Sequence, residues 1–174
     1  NSLFKLGFGF IEVGTITPKP QYGNPKPRVF RLEEDEALIN RLGFNNSGSE
    51  EISSRMSKEI KKGILGINIG PNKDTENRIE DYINCFNTFH GLADYITVNI
   101  SSPNTENLRD FHNRDELNSL IKKLKNEKGK LNSKVPIAVK VSPDLNDDQI
   151  EVVSNILLDQ EIEIIIVSNT SDKN

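Results

Sequence analysis

The sequence predicts an α/β protein whose parallel sheet belongs to an incomplete (βα)8 barrel, with roughly the first five strands present. Runs rich in β-branched residues alternate with amphipathic stretches, and such alternation is typical of parallel sheets. The last four runs begin roughly 25 to 40 residues apart, the length of one βα unit. A complete barrel needs about 250 residues, so 174 residues supply only part of one. An open doubly wound sheet is the competing architecture, but the chain stops just after a strand, which favours a barrel cut off partway.

The strands are predicted from short runs that are nearly continuous in Ile and Val. Such runs are typical of strands buried on both faces of a parallel sheet. The predicted strands span residues 8–15, 64–69, 95–100, 137–141 and 162–167.

Three helices are predicted from apolar residues spaced i, i+3, i+4 and i+7. Residues 74–75 and 146–147 carry the side chains that favour helix N-caps. The stripes are Ile79, Tyr82, Ile83 and Phe86, then Leu117, Leu120, Ile121 and Leu124, then Ile150, Val153, Ile156 and Leu157.

The segment from residue 18 to residue 63 departs from this alternation. Its first ten residues are rich in proline, which is typical of an extended surface linker. A long ordered loop beside a strand end is also often functional, so both interpretations stand. Within the segment, residues 33–42 are predicted to form a helix that ends at Gly43.

Composition excludes several classes of function. The net charge of −4 and the absence of a basic stripe argue against nucleic acid as a partner. The longest purely apolar run, residues 164–167, is far too short to span a bilayer. Cys85 is the single cysteine, so no disulfide can form within the chain, and its apolar neighbours indicate a buried thiol.

Polar residues repeat where the predicted parallel strands end. The carboxyl ends of such strands share one edge, where barrels and open sheets build their sites. Each residue alone is an ordinary turn former, but several in register indicate a site. The residues are Gly14 and Thr15, Asn68, Asn99 to Ser102, Lys140, and Ser168 to Thr170.

The chemical character of this set is neutral, with amides, hydroxyls and one lysine. Asparagine offers both donors and an acceptor, which suits a small flat ligand bearing amide, carbonyl and carboxylate groups. Lys140 lies inside a predicted buried strand and needs an anionic or electron-rich partner, although a structural ion pair is the alternative. No metal site is predicted, because the chain lacks a Cys/His cluster and an HExxH motif. Spacing alone permits a Ser-His-Asp triad with His90 or His112, but the GxSxG motif of such hydrolases is absent.

An ordered series of motifs along the whole chain resembles the quinone-linked, class 2 dihydroorotate dehydrogenases. Each motif alone is a weak signal, and the unbroken order is specific. The matching stretches are residues 7–18, 20–21, 23–24, 26–28, 38–46, 66–70, 99–105, 136–144 and 168–170. Departures from the family pattern occur at Pro71, at Ser168 and at residues 171–173.

The resemblance implies a (βα)8 barrel, also called a TIM barrel, with FMN at the carboxyl ends of its strands. It implies oxidation of dihydroorotate to orotate in pyrimidine biosynthesis. Class 1 enzymes carry Cys as the base in the loop after the third predicted strand, whereas class 2 enzymes carry Ser. Position 102 is Ser, which points to a quinone of the ubiquinone type as the electron acceptor.

The resemblance also implies roles for individual residues. Ser102 is expected to act as the general base. The expected substrate contacts are Asn40, Arg41, Leu42, Gly43, Phe44, Asn99, Asn104, Asn169 and Thr170. The expected FMN contacts are Thr15, Asn68, Asn99, Lys140 and Ser168.

Residues 1–174 are therefore interpreted as a single partial FMN-binding barrel domain. We expect the segment that docks on the membrane to lie upstream and the remaining strands downstream. The 174-residue piece alone is expected to be inactive and to bind FMN poorly, and flavin absorbance retained on the purified piece would contradict this. Peripheral membrane association is expected, at the mitochondrial inner membrane in a eukaryote or the cytoplasmic membrane in a bacterium. The alternatives are a class 1 or dihydropyrimidine dehydrogenase-like FMN barrel, and an inactive barrel remnant.

Overall fold

A computed structural model describes residues 2–103 and 108–171 of the chain. Its centre is a five-stranded parallel sheet in the order β1-β4-β5-β6-β7. These strands are β1 (Phe10–Ile16), β4 (Ile64–Ile69), β5 (Tyr95–Asn99), β6 (Ile137–Val141) and β7 (Ile164–Val167). A separate antiparallel hairpin consists of β2 (Val29–Leu32) and β3 (Ala37–Asn40).

The five predicted strands are all present in the sheet. Burial on both faces, however, holds only for the central strands, where Ile67, Ile96 and Val139 are fully buried. The outer strands have a neighbour on one side only, and Phe10 and Val167 are 62% and 80% exposed. The first strand begins two residues later than predicted because residues 8 and 9 lie outside the ladder.

The helices are α1 (Ser49–Ser57), α2 (Arg78–Phe89), α3 (Arg114–Lys130) and α4 (Asp147–Asp159). Short 3-10 helices span Leu3–Leu6 and Leu108–His112. The predicted apolar stripes of α2, α3 and α4 are confirmed, because most of their members are buried in one core with the sheet. Ile150 is the exception, since it is 48% exposed.

The N-caps of two helices test the predicted starting points. Asn146 caps α4, its side chain accepting from the backbone N–H of Gln149 while the Gln149 side chain accepts from Asn146 N–H, a capping box. The predicted cap at residues 74–75 is wrong. Asn77 caps α2 instead, accepting from the backbone N–H of Glu80 at 3.2 Å.

The predicted helix over residues 33–42 is also wrong, because this stretch contains the turn and second strand of the β2–β3 hairpin. The turn contains Glu36 at a φ of 49°, outside the helical region. Helix α1, which follows the hairpin, was missed. Its apolar positions are few, because Ile52 and Met56 are its only large apolar residues.

Gly66 allows β4 and β5 to lie close together. A Cβ atom at this position would overlap the ring of Tyr95, whose Cζ, Cε2 and hydroxyl are its nearest neighbours. Gly66 and Tyr95 are paired in the β4–β5 register, so the ring lies over the glycine. An alanine at position 66 would therefore force the ring out of its place.

We expect Gly66→Ala to lower the free energy of unfolding by about 1–3 kcal/mol, the usual cost of overpacking. Urea denaturation measures the change, and Gly66→Ala/Tyr95→Leu should recover part of the loss. Gly129→Ala is the matched control, since nothing lies within 4 Å of a Cβ there and the residue is helical. An equal loss for both glycine variants would contradict the steric explanation.

Candidate functional site

A cavity of about 310 Å³ lies at the carboxyl ends of the parallel strands. Each strand of the sheet or the loop after it contributes, and the segment after β3 forms part of the wall. The lining residues are Glu12, Val13, Gly14, Thr15, Asn40, Leu42, Gly43, Phe44, Asn45, Asn68, Asn99, Ser102, Pro103, Lys140, Asn169 and Thr170.

Most of the residues predicted from the sequence meet in this one cavity. Those that line it are Thr15, Asn40, Leu42, Gly43, Phe44, Asn68, Asn99, Ser102, Lys140, Asn169 and Thr170. Two others are not among the lining residues. Arg41 binds the carbonyl of Pro27 through Nε and Nη2, and the Ser168 hydroxyl donates to the carbonyl of Asn169. Asn104 lies outside the described residues.

The amides at the strand ends form one hydrogen-bond network. Asn99 donates to Thr15 Oγ1 at 3.0 Å and to Asn68 Oδ1 at 3.2 Å. Thr15 in turn donates to Asn68 Oδ1 at 2.7 Å. On the other side, Asn169 donates to Ser101 Oγ at 2.9 Å, and Ser101 donates to Asn99 Oδ1 at 2.8 Å. The side chains are therefore held in fixed orientations across the sheet edge.

Part of the cavity wall at the strand ends comes from the proline-rich segment that begins at residue 18 and whose composition is typical of a linker. Gln21 pairs with Asn46 through two backbone hydrogen bonds of 2.9 Å, and its side chain donates to the carbonyl of Gly43 at 3.0 Å. Gly43 and Phe44 have φ of 70° and 53°, a left-handed turn that gives the chain a sharp bend. The segment is thus an ordered wall of the site, and the functional interpretation of its length is supported.

Helix α2 is hydrogen-bonded to the last residue of β5. The Tyr82 hydroxyl donates to the carbonyl of Asn99 at 2.6 Å, and burial raises the pKa of Tyr82 well above its usual value. Cys85, on the same helix, is fully buried, as predicted, and its thiol donates to the carbonyl of Ile16 at 3.8 Å. Burial also raises the pKa of Cys85, so the thiol is a packing group and not a nucleophile.

The 3-10 helix Leu108–His112 is joined to two strand ends by a cluster around Asp144. Arg109 forms an ion pair with Asp144 at 3.0 Å, and Ser171 donates to the other oxygen of Asp144 at 2.5 Å. Asp144 follows β6 and Ser171 follows β7, so this cluster ties the 3-10 helix Leu108–His112 to the next two strand ends. Ser102 itself is 5% exposed.

Neither histidine supports the hydrolase alternative. His112 is buried in the 3-10 helix and does not line the cavity. Its Nε2 has no hydrogen-bond partner among the residues that the structure describes. Burial, with the nearby Arg109 charge, lowers the pKa of His112 to about 4. His90 ends α2 and stacks on Phe86, with a centroid distance of 6.2 Å.

The buried His112 predicts a specific acid sensitivity. The unfolded chain binds a proton at this histidine near pH 6.5, whereas the folded chain does so only near pH 4. The contribution of His112 to the free energy of unfolding is therefore fully present above pH 6.5. It is lost as the pH falls towards 4, by about 3 kcal/mol in total. Urea denaturation between pH 7.5 and 4.5 should show this decline, and His112→Phe should flatten it. A decline of the same size in a folded His112→Phe variant would contradict the assignment.

Sequence reasoning missed Glu12, which lines the cavity from inside β1. It is a strand residue, whereas the prediction considered only residues at strand ends. Asn68 Nδ2 donates to Glu12 Oε1 at 2.8 Å, and Thr97 donates to Glu12 Oε2 at 2.7 Å. No sequence signal distinguishes such a carboxylate from a solvated one, because its partners come from other strands. Across residues 2–103 and 108–171, no group of three His, Cys, Asp or Glu side chains is placed to hold a metal ion.

These features define the class of protein: a parallel βα protein with a polar cavity at the carboxyl ends of its strands. Comparisons with known proteins identify its family. The profile described as dihydroorotate dehydrogenase matches residues 1–174. The chain therefore belongs to the dihydroorotate dehydrogenase family.

Among curated relatives, the dihydroorotate dehydrogenase (quinone) of Brucella anthropi is 49% identical over 98% of this chain and 48% of its own length. The mitochondrial dihydroorotate dehydrogenase (quinone) of Cyclocybe aegerita is also 49% identical, over 98% of this chain and 54% of its own length. The chain thus spans about half the length of the curated relatives it matches.

A solved structure of DHODH from Eimeria tenella, in complex with ferulenol, superposes with a TM-score of 0.93 at 39% identity. The match covers 98% of this chain and 52% of that one. The five-stranded sheet is accordingly part of a (βα)8 barrel that is incomplete in this chain, and the predicted fold class is confirmed.

Proposed function

We propose that the protein that carries this chain oxidises dihydroorotate to orotate, with FMN as cofactor and a quinone as electron acceptor, in pyrimidine biosynthesis. The observation that carries the proposal is the convergence of Ser102, Lys140 and the asparagines on one cavity. Family membership supports the reaction, and the names of the curated relatives support the quinone.

The residues of the cavity fit a flavin. Lys140 brings one positive charge, and Thr15, Asn68 and Asn99 bring neutral polar groups that a flat heterocycle with carbonyl oxygens requires. The volume of about 310 Å³ is near the lower limit for a ligand site. When bound, FMN accepts the hydride that leaves C6 of dihydroorotate.

The chain's own residues have distinct roles in this proposal. Ser102 Oγ takes the proton from C5 of dihydroorotate and passes its own hydroxyl proton onward to a hydroxyl or water chain, so the serine stays neutral. Its buried position keeps bulk solvent away from that transfer. Both amide N–H groups of Asn99 are used within the protein, so Asn99 lines the substrate site and holds Thr15 and Asn68 in place. The amide N–H groups of Asn169 and Asn40 orient the ring and its carboxylate. Asn104, which the family motif places in the substrate shell, is proposed for the same role. Lys140 stabilises negative charge that develops on the cofactor side.

The remaining site assignments are part of the same proposal. Leu42, Gly43 and Phe44 wall the substrate, and Thr15 and Asn68 contact FMN. Arg41 contributes its backbone only, since its side chain binds Pro27. Ser168 is proposed to contact FMN through its backbone, because its hydroxyl donates to Asn169.

A redox assay tests the proposal. The full-length protein should reduce a ubiquinone analogue with dihydroorotate as donor, and should do so at least tenfold faster than it reduces fumarate or NAD. Preference for fumarate or NAD would favour a class 1 enzyme. The absence of any dihydroorotate-dependent reduction by a flavin-loaded protein would contradict the proposed function.

We also propose peripheral association with a membrane through a region outside this chain, at the mitochondrial inner membrane in a eukaryotic cell. One curated relative is named mitochondrial, and others are bacterial. In the described part of the chain, no helix has the length and apolarity needed to cross a bilayer. Cell fractionation followed by carbonate extraction tests the proposal, since a peripheral protein sediments with the membranes and is released by carbonate. Recovery of the protein only in the soluble fraction, before any extraction, would contradict the proposal.

A further inference from the structure

Glu12 is the one carboxylate among the described residues that line the cavity. Two side chains donate to it from the next two strands of the sheet, Asn68 on β4 and Thr97 on β5, at 2.8 and 2.7 Å. Asn68 and Thr97 are paired in the β4–β5 register, so both donors reach the carboxylate from one level of the sheet.

The hydroxyl of Tyr95, at the start of β5, also lies near this carboxylate. Burial and the charge of Glu12 raise the pKa of Tyr95 to about 12, so its hydroxyl stays protonated. Asn68 and Thr97 both donate to Glu12, which therefore acts as an acceptor toward both of them.

Because Glu12 accepts hydrogen bonds, it determines the orientation of the Asn68 amide beside it. Because Nδ2 of Asn68 faces Glu12, Oδ1 of Asn68 faces the other way and accepts from Thr15 and Asn99. A carbonyl oxygen has two lone pairs, so Asn68 Oδ1 is saturated within the protein.

The same orientation is repeated along the network. Asn99 turns its Nδ2 toward Asn68, and its Oδ1 accepts from the backbone N–H and the hydroxyl of Ser101. Asn169 turns its Nδ2 toward Ser101, and its Oδ1 accepts from the backbone N–H of Thr170 at 2.8 Å. All three amides therefore direct their N–H groups along one chain that ends at Glu12.

We propose that Glu12 is a positioning residue that fixes the direction of this amide chain and so makes the site a hydrogen-bond donor toward its ligands. The amide oxygens of Asn68, Asn99 and Asn169 are all occupied within the protein. What remains for a ligand at Asn68 and Asn169 is N–H, beside the ammonium group of Lys140. The site thereby selects ligand edges rich in oxygen acceptors and rejects edges that present amino groups.

This inference deepens the proposed function and rests on it, since orotate and the flavin ring are the acceptor-rich ligands concerned. Glu12→Gln is the informative variant. It keeps the shape of the side chain, but a glutamine can present either its oxygen or its N–H₂ to Asn68. The direction of the chain is then no longer fixed, and amide oxygens can turn toward the ligand.

The experiment compares two ligands on the FMN-loaded full-length protein, by equilibrium titration. One is orotate, and the other is 6-carboxycytosine, in which an amino group replaces a ring carbonyl of orotate. Glu12→Gln should weaken orotate binding by about tenfold, the factor expected for one hydrogen bond to a charged group. It should also reduce the selectivity for orotate over the amino analogue. A purely structural loss would weaken both ligands together and leave the selectivity unchanged.

Thr97→Val is the matched control, because it removes one donor from the same carboxylate without reversing any amide. It should change the selectivity by less than threefold. Unchanged orotate affinity and selectivity in a folded Glu12→Gln variant would overturn the inference while leaving the proposed function intact. A wild-type protein that binds neither FMN nor orotate would instead contradict the proposed function.

A second measurement needs no variant. Neutron diffraction of the wild-type protein distinguishes the amide nitrogen from the oxygen of Asn68. Deuterium on the atom that faces Glu12 supports the inference, and an oxygen at that position overturns it.

Discussion

Replacing Ser102 with alanine in the full-length, FMN-loaded protein is expected to slow flavin reduction by dihydroorotate at least 100-fold. General-base catalysis contributes about 10²–10⁴ to a rate, and the variant loses the proposed proton acceptor at C5. Orotate affinity should change by less than threefold, because the amides that bind the ring remain. Anaerobic stopped-flow bleaching of the flavin measures the rate, and a titration with orotate measures the affinity.

Ser142→Ala is the matched control for this prediction. Ser142 is 4% exposed and also follows a parallel strand, but it accepts from the backbone N–H of Asp144 and does not line the cavity. Its substitution should leave the flavin reduction rate within twofold of the wild type. If Ser102→Ala reduced its flavin as fast as Ser142→Ala does, the base assignment would be wrong.

A serine hydroxyl is a poor base in water. The proposed role therefore requires the surroundings of Ser102 to accept the proton that its hydroxyl gives up. Ser102 is buried. The neighbouring Ser101 already belongs to the amide network through Asn99 and Asn169. These contacts fix the chain directly before Ser102, and a fixed position favours proton transfer, because general bases act only within hydrogen-bond distance of the proton they abstract.

The parts of the fold that sequence reasoning predicted correctly share a physical cause. Central parallel strands are buried on both faces, so runs such as Ile64–Ile69 and Ile137–Val141 are nearly continuous in apolar residues and stand out from the rest of the chain. The strand ends were predicted for the same reason. Once the strands are located, the polar residues that follow them must share one edge of the sheet.

The β2–β3 hairpin could not be predicted in this way. Its strands are mostly exposed, so no buried face imposes an alternating pattern on them. The four acidic residues from Glu33 to Glu36 lie in the helix predicted over residues 33–42, whereas they form the tight turn of the hairpin. The hairpin is extended by a backbone bond that any sequence can make, from Arg41 N–H to the carbonyl of Arg28 at 2.9 Å. Its side-chain bonds, such as that of Arg41 to the carbonyl of Pro27, have no periodic pattern in the sequence.

Glu12 was missed for a different reason. Its importance comes from Asn68 and Thr97, which lie 56 and 85 residues further along the chain. A carboxylate in a half-exposed outer strand is usually solvated, and nothing local to β1 indicates otherwise. Such long-range partners become visible only when the register of the sheet is known.

Lys140→Met is expected to slow flavin reduction by dihydroorotate about 100- to 1,000-fold and to weaken FMN binding about tenfold. Lys140 is the one positively charged side chain among the described residues that line the cavity. Removing a single electrostatic stabiliser from a preorganised site typically costs a factor of this size. The half-buried methionine keeps the length of the stem, so packing beside Val139 and Val141 should persist. Stopped-flow bleaching measures the rate, and FMN fluorescence during reconstitution of the apoprotein measures the affinity.

The control for Lys140 separates its local charge from the total charge of the protein. Lys134→Met removes the same group from an exposed position before β6 and should leave both quantities within twofold of the wild type. Lys140→Arg keeps the charge but replaces a compact ammonium with a planar guanidinium, so it should restore FMN affinity more fully than the reduction rate. A rate in Lys140→Met that equals the rate in Lys134→Met would show that the charge at position 140 does not act on the reacting groups. Lys140 would then be a structural lysine, the alternative that its place within a strand had left open.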